Sequence, residues 1–114
     1  MRIEIIKEKT DLQTLKQLAE ESFGDMVKVV VDTDRKIMAA GGEMHADAEQ
    51  VLLDDGSAQE NLWGANMYPN ASGEDFVEYQ SLINIRPRAG NKGMEIEDRH
   101  IRDQVKNVIS LLVQ

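Results

Sequence analysis

The sequence predicts an α+β domain built on a largely antiparallel sheet with three helices. Three observations predict it. Extended, β-branched runs follow one another as hairpins rather than as repeated crossovers. Two stretches carry apolar residues at helical spacing, and a third is alanine-rich with a glycine stop. A chain of 114 residues, 41% hydrophobic and 30% charged, has the size and make-up of one globular unit, residues 1–114. The expected order is β-α-β-β-α-β-β-α.

The first element is RIEIIK (residues 2–7), an Ile-rich strand. Thr10 opens T-D-L-Q, a capping-box pattern in which Gln13 reaches back to the cap. Leu12, Leu15, Leu18, Ala19 and Phe23 follow at helical spacing, and Gly24 supplies a stop, so a helix is expected over 11–23. MVKVVVD (26–32) reads as a strand, DTDRK as a turn and KIMAAGG (36–42) as the return strand of a hairpin. Ala39, Ala40, Gly41 and Gly42 are small for a strand and let a backbone, a helix or a ligand come close; a helix packed tightly on the sheet is the simplest occupant.

GGEMHADAEQ (41–50) is ambiguous. Glu43, His45, Asp47 and Glu49 alternate with Met44, Ala46 and Ala48, as in a strand with one polar face. Alanine, however, is the best helix former and a poor strand former. A strand ending near Glu43 and a short helix from about Ala46 to Asp55, stopped by Gly56, is therefore expected. LWGANMYP (62–69) and the longer DFVEYQSLINIRP (75–87) read as strands separated by a turn at Pro69 and NASG. After the loop RAGNKG, Asp98 caps a last helix with Ile101, Val105, Val108, Ile109 and Leu112 in one stripe.

Composition narrows the function classes. A net charge of −8 repels polyanions, which argues against a nucleic-acid partner. The chain has no cysteine, hence no disulfide, thiolate site or thiol nucleophile, which fits a reducing cytoplasm. The opening MRIEIIKEKTD lacks the apolar run of a signal peptide, and no stretch approaches a transmembrane span. With five aromatics, the core must rest on Ile, Leu, Val and Met.

Three constellations carry chemistry. Glu43, His45, Asp47 and Glu49 place imidazole and carboxylates together; His45 and Glu49 at i, i+4 form a pair of metal ligands, with Asp47 beside them. The spacing is not that of a diagnostic metal motif, and a solvated acidic helix start is the simpler explanation. NIRPRAGNKG (84–93) holds the one basic cluster, Arg86, Arg88 and Lys92, beside Asn84 and a glycine loop with Asn91. Guanidinium forks suit a ligand's carboxylate or phosphate, and equally an internal partner such as Glu43. Finally, Asn66 and Asn84 are amides within expected strands; buried, they either bridge the sheet to a loop or face a ligand. No cofactor motif is present, and a divalent metal on His45, Asp47 and Glu49 is the one cofactor these residues allow.

GGEMHADAE, DGS, LWGANMYP and SLINIRPRAGN resemble an uncharacterised family of small prokaryotic proteins, a domain of unknown function, along nearly the whole chain. The resemblance implies no activity. From the residues, the first reading is a binding or interaction module. It receives an anionic small molecule or a protein partner's carboxylates on Glu43, His45, Asn66, Asn84, Arg86, Arg88 and Asn91. The alternative is a small hydrolase or lyase with Glu43 or His45 as base and Arg86 stabilising negative charge. An open sheet edge also suggests a homodimer.

Overall fold

In the computed structural model, which describes Met1–Gln114, the strands are β1 (Ile3–Ile6), β2 (Val27–Asp32), β3 (Ile37–Gly41), β4 (Leu62–Met67) and β5 (Val77–Glu78). The helices are α1 (Leu12–Glu21), α2 (His45–Asp54) and α3 (Arg99–Leu112). The strands form one antiparallel sheet in the order β1-β3-β2-β4-β5, and the chain order of elements is the expected β-α-β-β-α-β-β-α.

The sheet is covered on both faces, which is why β2 reads as a near-continuous valine run rather than an alternating one. Val29, Val31, Met38, Ala40, Ala65 and Met67 join α1 and α3 in the main core. Val30, Ala39 and Leu62 point the other way and pack with Ala48 and Leu52 of α2. Alternate residues of each central strand thus serve two different cores.

Asp11, not Thr10, caps α1: its Oδ1 accepts from the Thr14 amide and the Thr14 hydroxyl, both at 2.9 Å. The carboxylate does from one residue later what a threonine hydroxyl would have done. Phe23 lies beyond the helix and is largely exposed, with the Lys28 ammonium over its ring. The alternation of 43–49 gives way to α2, one residue earlier than the alanines suggested. Gly41 and Gly42 hold positive φ values of 113° and 85°, which turns the chain out of the sheet before Glu43. Helices cover Ala39 and Ala40, as expected, while at the glycines it is the chain entering β1 that comes close: a Cβ on Gly41 would sit 2.2 Å from the Arg2 carbonyl oxygen.

The largest departure lies in 75–87. Instead of one long strand there is the two-residue β5, followed by a 3₁₀ turn at Leu82–Asn84 and another at Pro87–Ala89. Main-chain pairing along β4 therefore stops at Asn66↔Glu78 and Met67↔Val77. The rest of that edge, from Leu62 to Gly64, is closed by side chains.

Candidate functional site: the sealed edge of β4 and its cleft

Asn84 is fully buried, and its side-chain amide takes the part of a strand neighbour. Its Oδ1 accepts from the Gly64 amide at 2.8 Å, while its Nδ2 donates to the Gly64 carbonyl at 3.0 Å and to the Met94 carbonyl at 3.0 Å. The approach needs a residue without a side chain opposite. A Cβ on Gly64 would fall 2.5 Å from Ser81 Cβ. Asn91 repeats the device one layer out. Its Nδ2 donates to the carbonyls of Asn84 (2.7 Å), Gly93 (3.0 Å) and Glu95 (2.9 Å), and its Oδ1 accepts from the Glu97 amide (2.8 Å). The segment 84–97 is thus stitched to itself and to β4 by two buried amides. Buried backbone groups must be paired, and a side-chain amide supplies both a donor and an acceptor.

Asn66 and His45 lie at the other end of the same strand. Asn66 Nδ2 donates to Glu78 Oε1 (2.9 Å) and the Gln80 carbonyl (3.3 Å), while its Oδ1 is buried without a partner. His45, the buried first residue of α2, lies 2.8 Å through Nε2 from the Ala65 carbonyl oxygen. A carbonyl can only accept, so that nitrogen carries the proton. Burial lowers the imidazole pKa below the ordinary histidine value, and the bond to Ala65 opposes this only in part. The neutral form is therefore bound to the fold. Its contribution is fully present above the unfolded value of 6.5 and is lost as pH falls towards the lower folded pKa. Replacing His45 with Gln, which keeps an N–H donor but does not titrate, should flatten the melting temperature between about pH 7.5 and 5.5. An unchanged pH dependence would place the sensitivity elsewhere.

Arg86 sits at the cleft end of the edge. Its Nε donates to the Ile83 carbonyl (3.1 Å), its Nη2 donates to the Leu62 carbonyl, and its guanidinium lies 4.4 Å from the centre of the Trp63 ring. Glu43 is not its partner. Glu43 is exposed beyond the glycine turn, and no carboxylate lies within 4.0 Å of Arg86 or Arg88. Carbonyls and the indole face take the place expected for an acid, because the open edge of β4 needs donors more than it needs a charge. Nη1 of Arg86 is buried with no acceptor, and desolvation lowers the pKa, partly offset by Glu49. Arg86 and Arg88 line a cleft of about 870 Å³ with Leu82, Ile85 and Pro87 on the apolar side and Glu49 and Glu60 at its rim. Leu82 and Ile85 are exposed.

The expected site residues therefore divide. Asn84, Asn91 and Arg86 are gathered along one edge, with Arg88 beside them at the cleft. Asn66 and His45 adjoin the same strand further along. Glu43 and Asp47 are solvated, and no group of three or more His, Asp or Glu side chains is assembled to hold a metal, so His45, Asp47 and Glu49 do not form a ligand set. A second cleft, between α3 and residues 68–80, was not anticipated. Its cations are Arg99, Arg102 and Lys106 of α3, a helix of which the sequence showed only the apolar stripe.

Fold and edge together define a small α+β protein: an antiparallel sheet between one helix and two, its β4 edge closed by buried asparagines. The chain matches the family described as "Protein of unknown function (DUF5674)" over residues 4–112, and it belongs to that family. The comparison with curated proteins returned no match, and neither did that with solved structures. No helix is long and apolar enough to cross a membrane.

Proposed function

We propose that this protein is a binding module whose cleft at Leu82–Ala89 receives a carboxylate flanked by an apolar group. The observation that carries the reading is the state of two arginines. The chain has 21 acidic side chains, yet Arg86 and Arg88 pair with none of them. Arg86 is held in place by carbonyls and Trp63, so its charge is oriented but not neutralised. A fixed guanidinium loses little further freedom when it takes up a carboxylate. Leu82 and Ile85 supply apolar surface beside it, and Glu49 and Glu60 bias against ligands carrying excess negative charge.

The hydrolase or lyase reading has less support. His45 is committed to the Ala65 carbonyl, and neither Glu43 nor His45 lines the cleft.

The test is an amide-resolved NMR titration with two probes, succinate and the peptide acetyl-Leu-Glu-amide, which carries one carboxylate beside an apolar side chain. The peptide should shift the signals of Leu82, Ile85, Arg86 and Ala89. Arg88→Glu, at an exposed position, should weaken it by about tenfold or more, as expected when attraction becomes repulsion. Equal response to succinate would assign the cleft to small anions rather than to a protein segment. The absence of any shift here, or shifts indifferent to Arg88→Glu, would overturn the reading.

A further inference from the structure

The second cleft, of about 1150 Å³, lies between α3 and the chain from Tyr68 to Gln80. Its α3 wall is net cationic, with Asp103 as its one carboxylate, and the facing wall is acidic through Glu74, Asp75 and Glu78. On α3, Arg99, Arg102 and Lys106 are spaced i, i+3, i+7 and so share one face, spanning about 10 Å of helix. Across from them, the 3₁₀ turn Gly73–Asp75 presents Glu74 and Asp75. The charges do not close on one another: the only ion pair in the cleft is Arg102 with Glu95, at 3.1 Å. Arg99 and Lys106 have no carboxylate within 4.0 Å, and Glu74 and Asp75 have no cation within that distance. Open space separates them.

The floor is aromatic. Tyr68, Phe76 and Tyr79 line this cleft, which is three of the five aromatics of the chain. Arg102 is anchored over Tyr79 at 5.5 Å and donates to the Ile96 carbonyl at 2.7 Å, while its Nε is buried with no acceptor. A cationic wall, an acidic wall and an aromatic floor between them match a ligand with three corresponding parts.

We infer that this cleft binds a small zwitterion of amino-acid or short-peptide type. Its carboxylate faces Arg99 and Lys106, its ammonium faces Glu74 and Asp75, and its apolar body lies on Phe76 and Tyr68. A simple anion leaves the acidic wall unmatched, and a simple cation leaves α3 unmatched; each is also repelled by the opposite wall. This site is separate from the Arg86 cleft and shares no lining residue with it.

The dipeptide alanyl-phenylalanine is the probe, followed by NMR on the whole chain. Amides of 73–80 and 99–106 should shift, while those of 82–89 should stay in place. N-acetylation, which removes the ammonium, or C-amidation, which removes the carboxylate, should each weaken binding about threefold to fivefold, the size of an exposed ion pair. Lys106→Gln should remove the preference for the free carboxylate, and Glu74→Gln with Asp75→Asn the preference for the free ammonium. All three positions are exposed, so the variants should fold. No shift with millimolar dipeptide would overturn the inference. So would equal binding of the capped forms, or inorganic phosphate moving the same amides with the same midpoint.

Discussion

Replacing Asn84 with Ala should cost about 3–5 kcal/mol of folding stability, because it removes partners from several backbone groups at once. The Gly64 amide loses its acceptor and the Gly64 carbonyl its donor, while the Met94 carbonyl is left with the Ser81 amide alone. Each such group carries a desolvation penalty of about 1–3 kcal/mol when left unpaired, less where water enters the gap. Asn84→Asp should be no milder, since it sets a carboxylate oxygen against two carbonyls. Urea melts of the two variants and the wild type measure both effects. A loss below about 1 kcal/mol would mean that the amide is merely accommodated there.

The second large effect is expected at Gly64, and its sign is the informative part. Gly64 lies within β4 and its φ is not positive, so alanine there should ordinarily stabilise by about 0.4–1 kcal/mol through the unfolded chain. The added Cβ would instead stand 2.5 Å from Ser81 Cβ, 2.7 Å from Ser81 Oγ and 3.1 Å from Ile83 Cγ1. Ser81 is nearly buried and its hydroxyl is bonded to the Ile83 amide, so it has little room to move. The 81–84 turn must lift off the strand and stretch the Asn84 bonds. Gly64→Ala should therefore destabilise by about 2–4 kcal/mol, the overpacking cost plus weakened hydrogen bonds. Thermal melts decide it. A variant as stable as the wild type would show that the turn yields freely.

These two positions also show what could be read from the sequence. The element order came from patterns that burial imposes locally: valines in β2, the apolar stripe of α3, and the glycines that end β3. Even the ambiguous 43–49 resolved as helix, since Gly41 and Gly42 break the strand and Ala46 and Ala48 favour a helix beyond it. The stretch 75–87 misled for a definite reason. Its apolar alternation is real, but Leu82 and Ile85 face solvent, and the pairing that a strand would have made with β4 is made by one asparagine side chain. Periodicity cannot distinguish a main-chain amide from a side-chain amide. The unusual asparagines were the visible sign, and they pointed to the right edge without revealing which groups they serve. Arg86 belongs to the same case: the need for a partner was legible, but the partners are carbonyls of the edge, not Glu43. The α3 cleft was illegible because a row of cations on a helix acquires meaning only once Glu74 and Asp75 are placed opposite it by the fold.

That the Asn84 side-chain amide stands in for the missing continuation of β5 along β4 is the claim on which the Arg86 cleft depends, since the same turns carry both. Native-state hydrogen exchange of the Gly64 amide tests it most directly. In the wild type this N–H should exchange as slowly as the central amides of β2, and in the Asn84→Ala variant it should exchange faster while those of β2 keep their order of protection. A wild-type Gly64 amide that exchanges at the rate of an exposed loop would contradict the claim.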